Sequence, residues 1–319
     1  MPVPQISESF AGSVNRITLG ATKDDGGTRT TTITIGGAKN VVYGGSPEDA
    51  GEKPVIAMDV LDAEPGDWPE ALAEPYKDVL NNPGDWAKKC VEQFGADLIC
   101  LKFDGIHPDK GDRDADHAVK VTKEVLSAVG VPLILWGCGN DQKDNEVMPK
   151  VSGAAKGEKC LIGVVEEDNY KSLTAIALAD GHFLITAAPL DINIAKQVNI
   201  LASDMGFPLE RIVTFQSTGA LGYGIEYAYS IQERQRLAAL SGDKMMAMPA
   251  ICDVGYEAWR AKEAKLVDAP GWGPAENRGP MWEAATAICL LQAGADIIRM
   301  RHPKAVATVK DFISQVWKK

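Results

Sequence analysis

Surplus positive charge is the first thing this sequence lacks. Its 319 residues carry 33 Lys and Arg against 44 Asp and Glu, a formal net charge of −11. That balance excludes the basic face that nucleic acid or an anionic membrane surface demands. No apolar run reaches the roughly eighteen residues of a membrane span. The opening stretch MPVPQISESFAGSV lacks the charged-then-apolar order of a secretory signal, so the expected location is the cytoplasm. Cysteine is sparse and unpaired in pattern. Cys90, Cys100, Cys138, Cys160, Cys252 and Cys289 never fall at CxxC spacing, which leaves zinc ribbons, thioredoxin-like pairs and ferredoxin-type cluster cradles without support. The six read as small buried hydrophobes. An iron–sulfur cluster, if one matters here, belongs to another chain.

Histidine is scarcer still. His107, His117, His182 and His302 show no metal-ligand spacing. His182, in DGHFLI, begins like the Asp-x-His motif by which some cobalamin proteins ligate cobalt, but Ile185 stands where that motif has Gly. His182 also opens a strand, at the rim that serves stability, and it is rejected as a ligand. A nucleophile elbow, a Walker loop and a Rossmann fingerprint are all missing. GALGYG (219–224) carries its glycines in the reverse of the dinucleotide order. No catalytic residue and no metal ligand emerges.

What is present is an ordinary globular composition, 45% hydrophobic and 24% charged, ample for a large core. Residues 14–36 read as a β-hairpin turning at Asp25-Gly26-Gly27. From Pro54 onward short apolar runs alternate with amphipathic stretches. Strands are predicted at 54–60, 96–102, 132–137, 160–164, 182–187, 211–215, 249–254 and 296–300. Helices are predicted at 83–94, 115–129, 168–179, 190–205, 223–240 and 279–292, with a last one from Pro303. Near-continuous apolar strands belong to a parallel sheet covered on both faces, and eight of them alternating with helices suggest a (β/α)8 TIM barrel. The expected organisation is an N-terminal extension with the hairpin (1–53) and one barrel (54–319). FGADLICLK (94–102) and AGADIIRMR (293–301) echo each other. In both, a Gly is placed to end a helix in the left-handed conformation before a strand begins.

In such a barrel, binding groups sit on the loops after strand C-termini. That rule selects Asp59, Lys102, Asp104, the GCGN of Gly137 to Asn140, the Glu166-Glu167-Asp168-Asn169 run, Asp191, Asn193, Gln216 to Gly224, Cys252, Asp253, Arg299 and Arg301. Each also has a plain structural reading. GCGN serves as a turn, EEDN and Asp191 as helix caps, Lys102 and Asp104 as an ion pair, and the two arginines as ties to neighbouring loops. The segment QSTGALGYGIEY (216–227) is the most suggestive. Gly219, Gly222 and Gly224 remove side chains where a ligand approaches the backbone, Ser217 and Thr218 offer hydroxyls, and the helix N–H groups near Tyr223 are available to ligand oxygens. The competing reading is a glycine-rich loop serving only its own turn. Either way the surface suits binding better than acid–base chemistry.

At these residues the sequence resembles a known family. LGYGIEYAYSIQERQRLAAL (221–240), MPAICDVGYEAWRAKEA (248–264), PLDINIAKQVNIL (189–201) and EEDNYKSLTAIAL (166–178) are similar to the small subunit of the corrinoid iron–sulfur protein, the delta subunit of the acetyl-CoA decarbonylase/synthase complex. The similarity extends over nearly the whole chain, including LGATKDDGGTRTTTITIGG (19–37) and PGWG (270–273). The resemblance implies a (β/α)8 barrel that forms a heterodimer with a large subunit carrying a [4Fe–4S] cluster and a corrinoid-binding domain. It implies a shared corrinoid (cobamide) at the barrel mouth, whose Co(I) accepts a methyl group from a methyltetrahydrofolate- or pterin-linked methyltransferase. The methyl then passes to acetyl-CoA synthase/CO dehydrogenase in the reductive acetyl-CoA (Wood–Ljungdahl) pathway of anaerobes. The residues expected to cover the corrin are Ser217, Thr218, Gly219, Gly222, Tyr223, Gly224, Cys252, Asp253 and Tyr256, as hydrogen-bonding groups with no proton-transfer role. The alternative expectation is a pterin-dependent methyltransferase acting alone, with Asp59, Asp104, Asn140 or Asp191 holding the pterin.

Overall fold

The computed structural model describes residues 9–42 and 47–317; the remaining positions of the expected 1–53 extension, 1–8 and 43–46, lie outside the described residues. Two short strands, β1 (Arg16–Leu19) and β2 (Ile33–Gly36), pair antiparallel, with Ile17 opposite Ile35. Eight further strands follow: β3 (Val55–Leu61), β4 (Leu98–Lys102), β5 (Leu133–Trp136), β6 (Leu161–Val165), β7 (Phe183–Ala187), β8 (Ile212–Phe215), β9 (Ala250–Asp253) and β10 (Ile297–Met300). They run parallel in chain order, and β10 closes the ring by pairing with both β9 and β3.

The helices between them are α1 (Glu70–Ala73), α2 (Pro83–Glu92), α3 (Ala115–Ala128), α4 (Asp141–Ala154), α5 (Tyr170–Asp180), α6 (Ile192–Asp204), α7 (Ile225–Leu240), α8 (Val254–Arg260), α9 (Lys262–Lys265), α10 (Ala275–Ala293) and α11 (Pro303–Val316). Each of the eight predicted strands corresponds to an observed one. The architecture is the (β/α)8 barrel, with the N-terminal hairpin present. No helix among the described residues is long and apolar enough to cross a membrane.

The two-residue period of a strand sends alternate side chains inward and outward, and the core divides accordingly. Outward residues such as Ile56, Met58, Ile99 and Leu101 meet the helices, whereas Val55, Ala57, Leu98, Ile134, Leu161, Ile185, Val213, Ile251 and Ile297 fill the barrel. Ile17, Leu19 and Ile35 of the hairpin join that inner cluster beside Val55, Phe183 and Ile297. The hairpin therefore plugs the N-terminal end of the barrel. Its connection is longer than the predicted turn. Thr22 and Asp25 hold a tight turn at Lys23–Asp25, and Arg29 is drawn down onto the barrel by Glu158 and the Val129 carbonyl.

The echoing joints have one structural meaning. Gly95 and Gly294 both take positive φ, 70° and 105°, and the Asp two residues later caps a neighbouring strand. Asp97 accepts the Ile56 N–H and Asp296 the Ala250 N–H, each at 2.9 Å.

Candidate functional site at the C-terminal end of the barrel

With one end plugged by the hairpin, the other is where strand ends and loops converge. Its centre is closed by the chain's own side chains. Arg299, on β10, lies flat over the Trp136 ring with its guanidinium carbon 4.1 Å from the centroid, and Phe215 meets Trp136 edge-on at 5.1 Å. Arg299 donates from Nε and Nη2 to the two Asp59 oxygens at 2.9 and 3.0 Å, and from Nη1 to Asp253 at 2.8 Å. Arg301 adds a bond from Nε to Asp59 at 2.9 Å. Four charges from three adjacent strands thus form one buried lattice. Burial works to raise the Asp59 carboxyl, but Arg299 and Arg301 outweigh it and hold it below the ordinary value. Asp253 receives a single arginine bond, so burial keeps its carboxyl above the usual range. The glycine-lined opening expected from the sequence is, in the structure, a closed floor.

Beside that floor stands a wall made by 216–224, α8, α9 and the start of α10. Ser217 adopts φ 58° and donates its hydroxyl to the Ala188 carbonyl at 3.0 Å. The Thr218 hydroxyl accepts the Asp253 N–H at 2.9 Å, tying the loop to the charge lattice. Gly219 is required by crowding, because a Cβ there would overlap the Gly224 carbonyl. Gly222 and Gly224 are required by φ of 75° and 91°, their surroundings being open enough for a Cβ. These glycines therefore serve the turn first.

Around that turn, large side chains face solvent. Tyr223 is 47% exposed and Tyr256, at the start of α8, 40%; Leu221, Tyr227, Leu266, Trp272 and Met281 are exposed on the same stretch of chain. Tyr223 donates to Glu263 at 2.9 Å. Trp282 stacks on Trp272 at 5.7 Å and donates its indole N–H to the Leu221 carbonyl at 2.9 Å. So many exposed large apolar groups in neighbouring segments signal a surface meant to be covered.

The remaining candidates sort by strand phase and capping. Cys252 is one residue out of phase with Asp253. Its sulfur points outward, buried under α7, where it accepts from Gln232 Nε2 at 3.1 Å. There it also meets the Thr218 side chain, so it backs the wall from the core, buried from solvent. Gln216 is likewise buried under α7, bonded to Gln235 at 2.6 Å. Asn140 and Asp191 cap α4 and α6. Asn169 accepts the Glu166 N–H, holding its own turn and leaving the first-turn N–H groups of α5 uncapped by its side chain. Lys102 donates to the Gly137 carbonyl and lies 4.0 Å from Asp104, which pairs with Lys110. His182 is buried with both ring nitrogens engaged, by the Cys160 N–H and the Ser152 carbonyl.

Three aromatic rings escaped the sequence reading: Trp68, Trp136 and Trp282. Trp136 ends its strand in PLILWG, so inward phase at a strand terminus was the available signal. Trp68 and Trp282 lie in a loop and on a helix, and only packing reveals them. The loops after β3 and β4 also enclose a pocket of about 410 Å³, lined by Glu64, Asp67, Lys110 and Arg113 among others.

Among known protein families, a model described as CO dehydrogenase/acetyl-CoA synthase delta subunit matches residues 16–307. The acetyl-CoA decarbonylase/synthase complex subunit delta of Archaeoglobus fulgidus is 39% identical over 314 residues, covering 96% of this chain and 69% of that protein. Subunit delta 1 of Methanosarcina thermophila is 38% identical over 318 residues, covering 97% and 72%. Among solved structures, dihydropteroate synthase from Xanthomonas albilineans superposes with a TM-score of 0.56 at 14% identity, over 83% of this chain and 92% of that one. The Stenotrophomonas maltophilia enzyme gives 0.57 at 15%, over 84% and 96%. At such identity the likeness is one of fold.

Proposed function

Since the chain belongs to the CO dehydrogenase/acetyl-CoA synthase delta subunit family, we propose that it works as the small subunit of a corrinoid iron–sulfur methyl carrier. Its partner would be a large subunit bearing a [4Fe–4S] cluster, and its place the cytoplasm. A pterin-linked methyltransferase would donate the methyl group and acetyl-CoA synthase would receive it. The bound corrinoid would supply the metal that accepts and releases the methyl group. This chain's part is to hold one side of that cofactor.

The observation that carries this reading is the pairing of a closed floor with an exposed aromatic wall. A small heterocycle has no room at the barrel centre, where Arg299 already lies on Trp136. A broad flat group fits on top instead, against Leu221, Tyr223 and Tyr256. The wall is rigid where it needs to be. Thr218 fastens it to Asp253, Trp282 to Leu221 and Glu263 to Tyr223. Side chains arranged in this way bind, orient and exclude water; none is poised to move a proton.

The same observation weighs against a pterin-dependent methyltransferase acting alone. Asp59 is locked between two arginines, Asn140 and Asp191 cap helices, and Asp104 is paired with Lys110. No carboxylate of that set is left free for a pterin.

The test is co-expression with a cluster-bearing partner under anaerobic conditions, followed by absorbance spectroscopy of the purified complex. Corrinoid retained with this chain and lost with the Tyr223→Ala/Tyr256→Ala variant supports the proposal. Equal retention with and without the chain refutes it. Methyl transfer from methyltetrahydrofolate to added Co(I) cobalamin by the isolated chain would establish the enzyme reading in its place.

A further inference from the structure

Arg301 is held more firmly than its ion pair requires, and half of its guanidinium is left over. Its backbone N–H and that of His302 donate to the buried Glu283 carboxylate, and its carbonyl accepts the Tyr76 hydroxyl. The side chain is 9% exposed and donates from Nε to Asp59. The guanidinium is flanked by the Trp68 and Tyr256 rings, each with its centroid 5.3 Å away. Nη1 and Nη2 donate to no group among the described residues, yet they are not sealed from solvent. Four N–H bonds of a pinned, nine-tenths buried cation are thus left without a partner among the described residues. Unmade bonds of this kind are costly unless a ligand or water completes them.

The charge around Arg301 decides which ligand. Arg299 and Arg301 face Asp59 and Asp253, Arg260 pairs with Glu257, and Lys110 pairs with Asp104. With Lys102, which acts on Asp253 and lies 4.0 Å from Asp104, and Glu283, which acts on Arg301, five cations meet five carboxylates. An anion arriving at this balanced cluster would meet the fields of Asp59, Asp253 and Glu257, whereas a neutral acceptor would not. With Nε committed to Asp59, the N–H groups of Nη1 and Nη2 remain, and one carbonyl oxygen with its two lone pairs can accept from both.

We propose that Arg301 is the group by which this chain anchors a neutral amide carbonyl of its ligand. On the reading given under Proposed function, on which this inference rests, that carbonyl belongs to one of the primary-amide arms fringing the corrin ring. Arg301 is then a binding residue beside Tyr256, fixing how the macrocycle is turned on the floor. The guanidinium is already immobilised by Asp59 and two rings, so little conformational freedom is lost when it binds.

The test titrates methylcobalamin into the complex of this chain with its cluster-bearing partner, following the corrin absorbance. Wild type is compared with Arg301→Gln and Arg301→Lys, and melting temperatures are recorded for all three. The Lys variant keeps a cation beside Asp59 and guards against simple unfolding. Both variants are expected to bind at least about tenfold more weakly, the worth of a charged donor's hydrogen bond, with the Lys variant melting close to wild type. The wild-type-to-variant ratio is expected to be the same at low and high potassium chloride, because a neutral acceptor is not screened. Unchanged affinity in both variants overturns the assignment to Arg301 while leaving the corrinoid reading intact. A ratio that collapses with salt overturns the neutral acceptor in favour of an anion. Failure of the wild-type complex to bind methylcobalamin at all overturns the corrinoid reading, and this inference with it.

Discussion

Replacing Arg299 with Met tests whether the barrel mouth is a sealed floor. The substitution keeps an unbranched side chain over Trp136 but deletes three hydrogen bonds, two to Asp59 and one to Asp253, at 2.8 to 3.0 Å. Breaking a buried ion pair from one side costs about 3–5 kcal/mol, because the partner charge stays buried without compensation. Arg301 still serves Asp59, so the loss falls mainly on Asp253 and the expected deficit is about 3–4 kcal/mol. For 319 residues, an unfolding entropy of about 2 cal/mol/K per residue turns this into a melting shift of about 5 °C.

The pH dependence gives a second handle. Asp253 already sits above its ordinary value through burial, and loss of Arg299 raises it further. A carboxyl raised above its unfolded value destabilises fully above its folded pKa, and the deficit shrinks as pH falls toward about 3.9. Thermal melts by calorimetry at about pH 7.5 and about pH 5.5 should therefore show the wild-type-to-mutant gap narrowing in acid. A gap below about 1 kcal/mol at both pH values would mean that water reaches these groups, as at an exposed pair. The closed floor, and the exclusion of a small heterocycle that depends on it, would then be wrong.

Three further outcomes are expected. Burial pushes Glu283 up to about 7, against the N–H groups of Arg301, Trp259 and His302 that draw it back. Since its folded value exceeds the unfolded one, native stability should fall by up to about 3 kcal/mol as pH rises from about 4.5 to about 7. Denaturant titrations of Glu283→Gln should lack that portion of the slope. Gly219→Ala should destabilise by about 2 kcal/mol or more, since backbone must move to admit a Cβ. Gly222→Ala, opposed only by its φ, should cost about 1 kcal/mol. Finally, Cys90, Cys100 and Cys252 are fully buried and their thiols pushed up by burial, so a thiol reagent should label Cys289 quickly and the other five only after unfolding. Fast labelling of two or more sites would contradict the core placement of these cysteines.

Much of the barrel was legible because its signals are local. Runs such as PVIAMDV and ADLICLK announce strands buried on both faces, and their phase already separates Ala57 from Met58. Gly95 and Gly294 mark helix ends through a conformation other residues avoid. The site was legible only in outline. The strand-end rule picked out Asp59, Asp253, Arg299 and Arg301, yet it pictured a glycine-lined opening where these four close a floor. The strand-end rule put Cys252 on the rim without saying which way its side chain faces; it lies in the core between Gln232 and Thr218. The hairpin turn was set too short, because nothing near Asp25 in the sequence reveals that Glu158 pulls on Arg29.

By itself, then, the amino-acid order determined the eight barrel strands, the N-terminal hairpin and most of the helices between the strands, though it passed over α4 (Asp141–Ala154). Tertiary structure alone decided what the barrel mouth is. Asp59 and Arg299 stand 240 positions apart and become partners only when β10 closes against β3. Which charges neutralise one another, and which guanidinium N–H groups are left over, are properties of that closure. Period and propensity act over a few residues, whereas Coulombic pairing in a dry interior depends on distance in space.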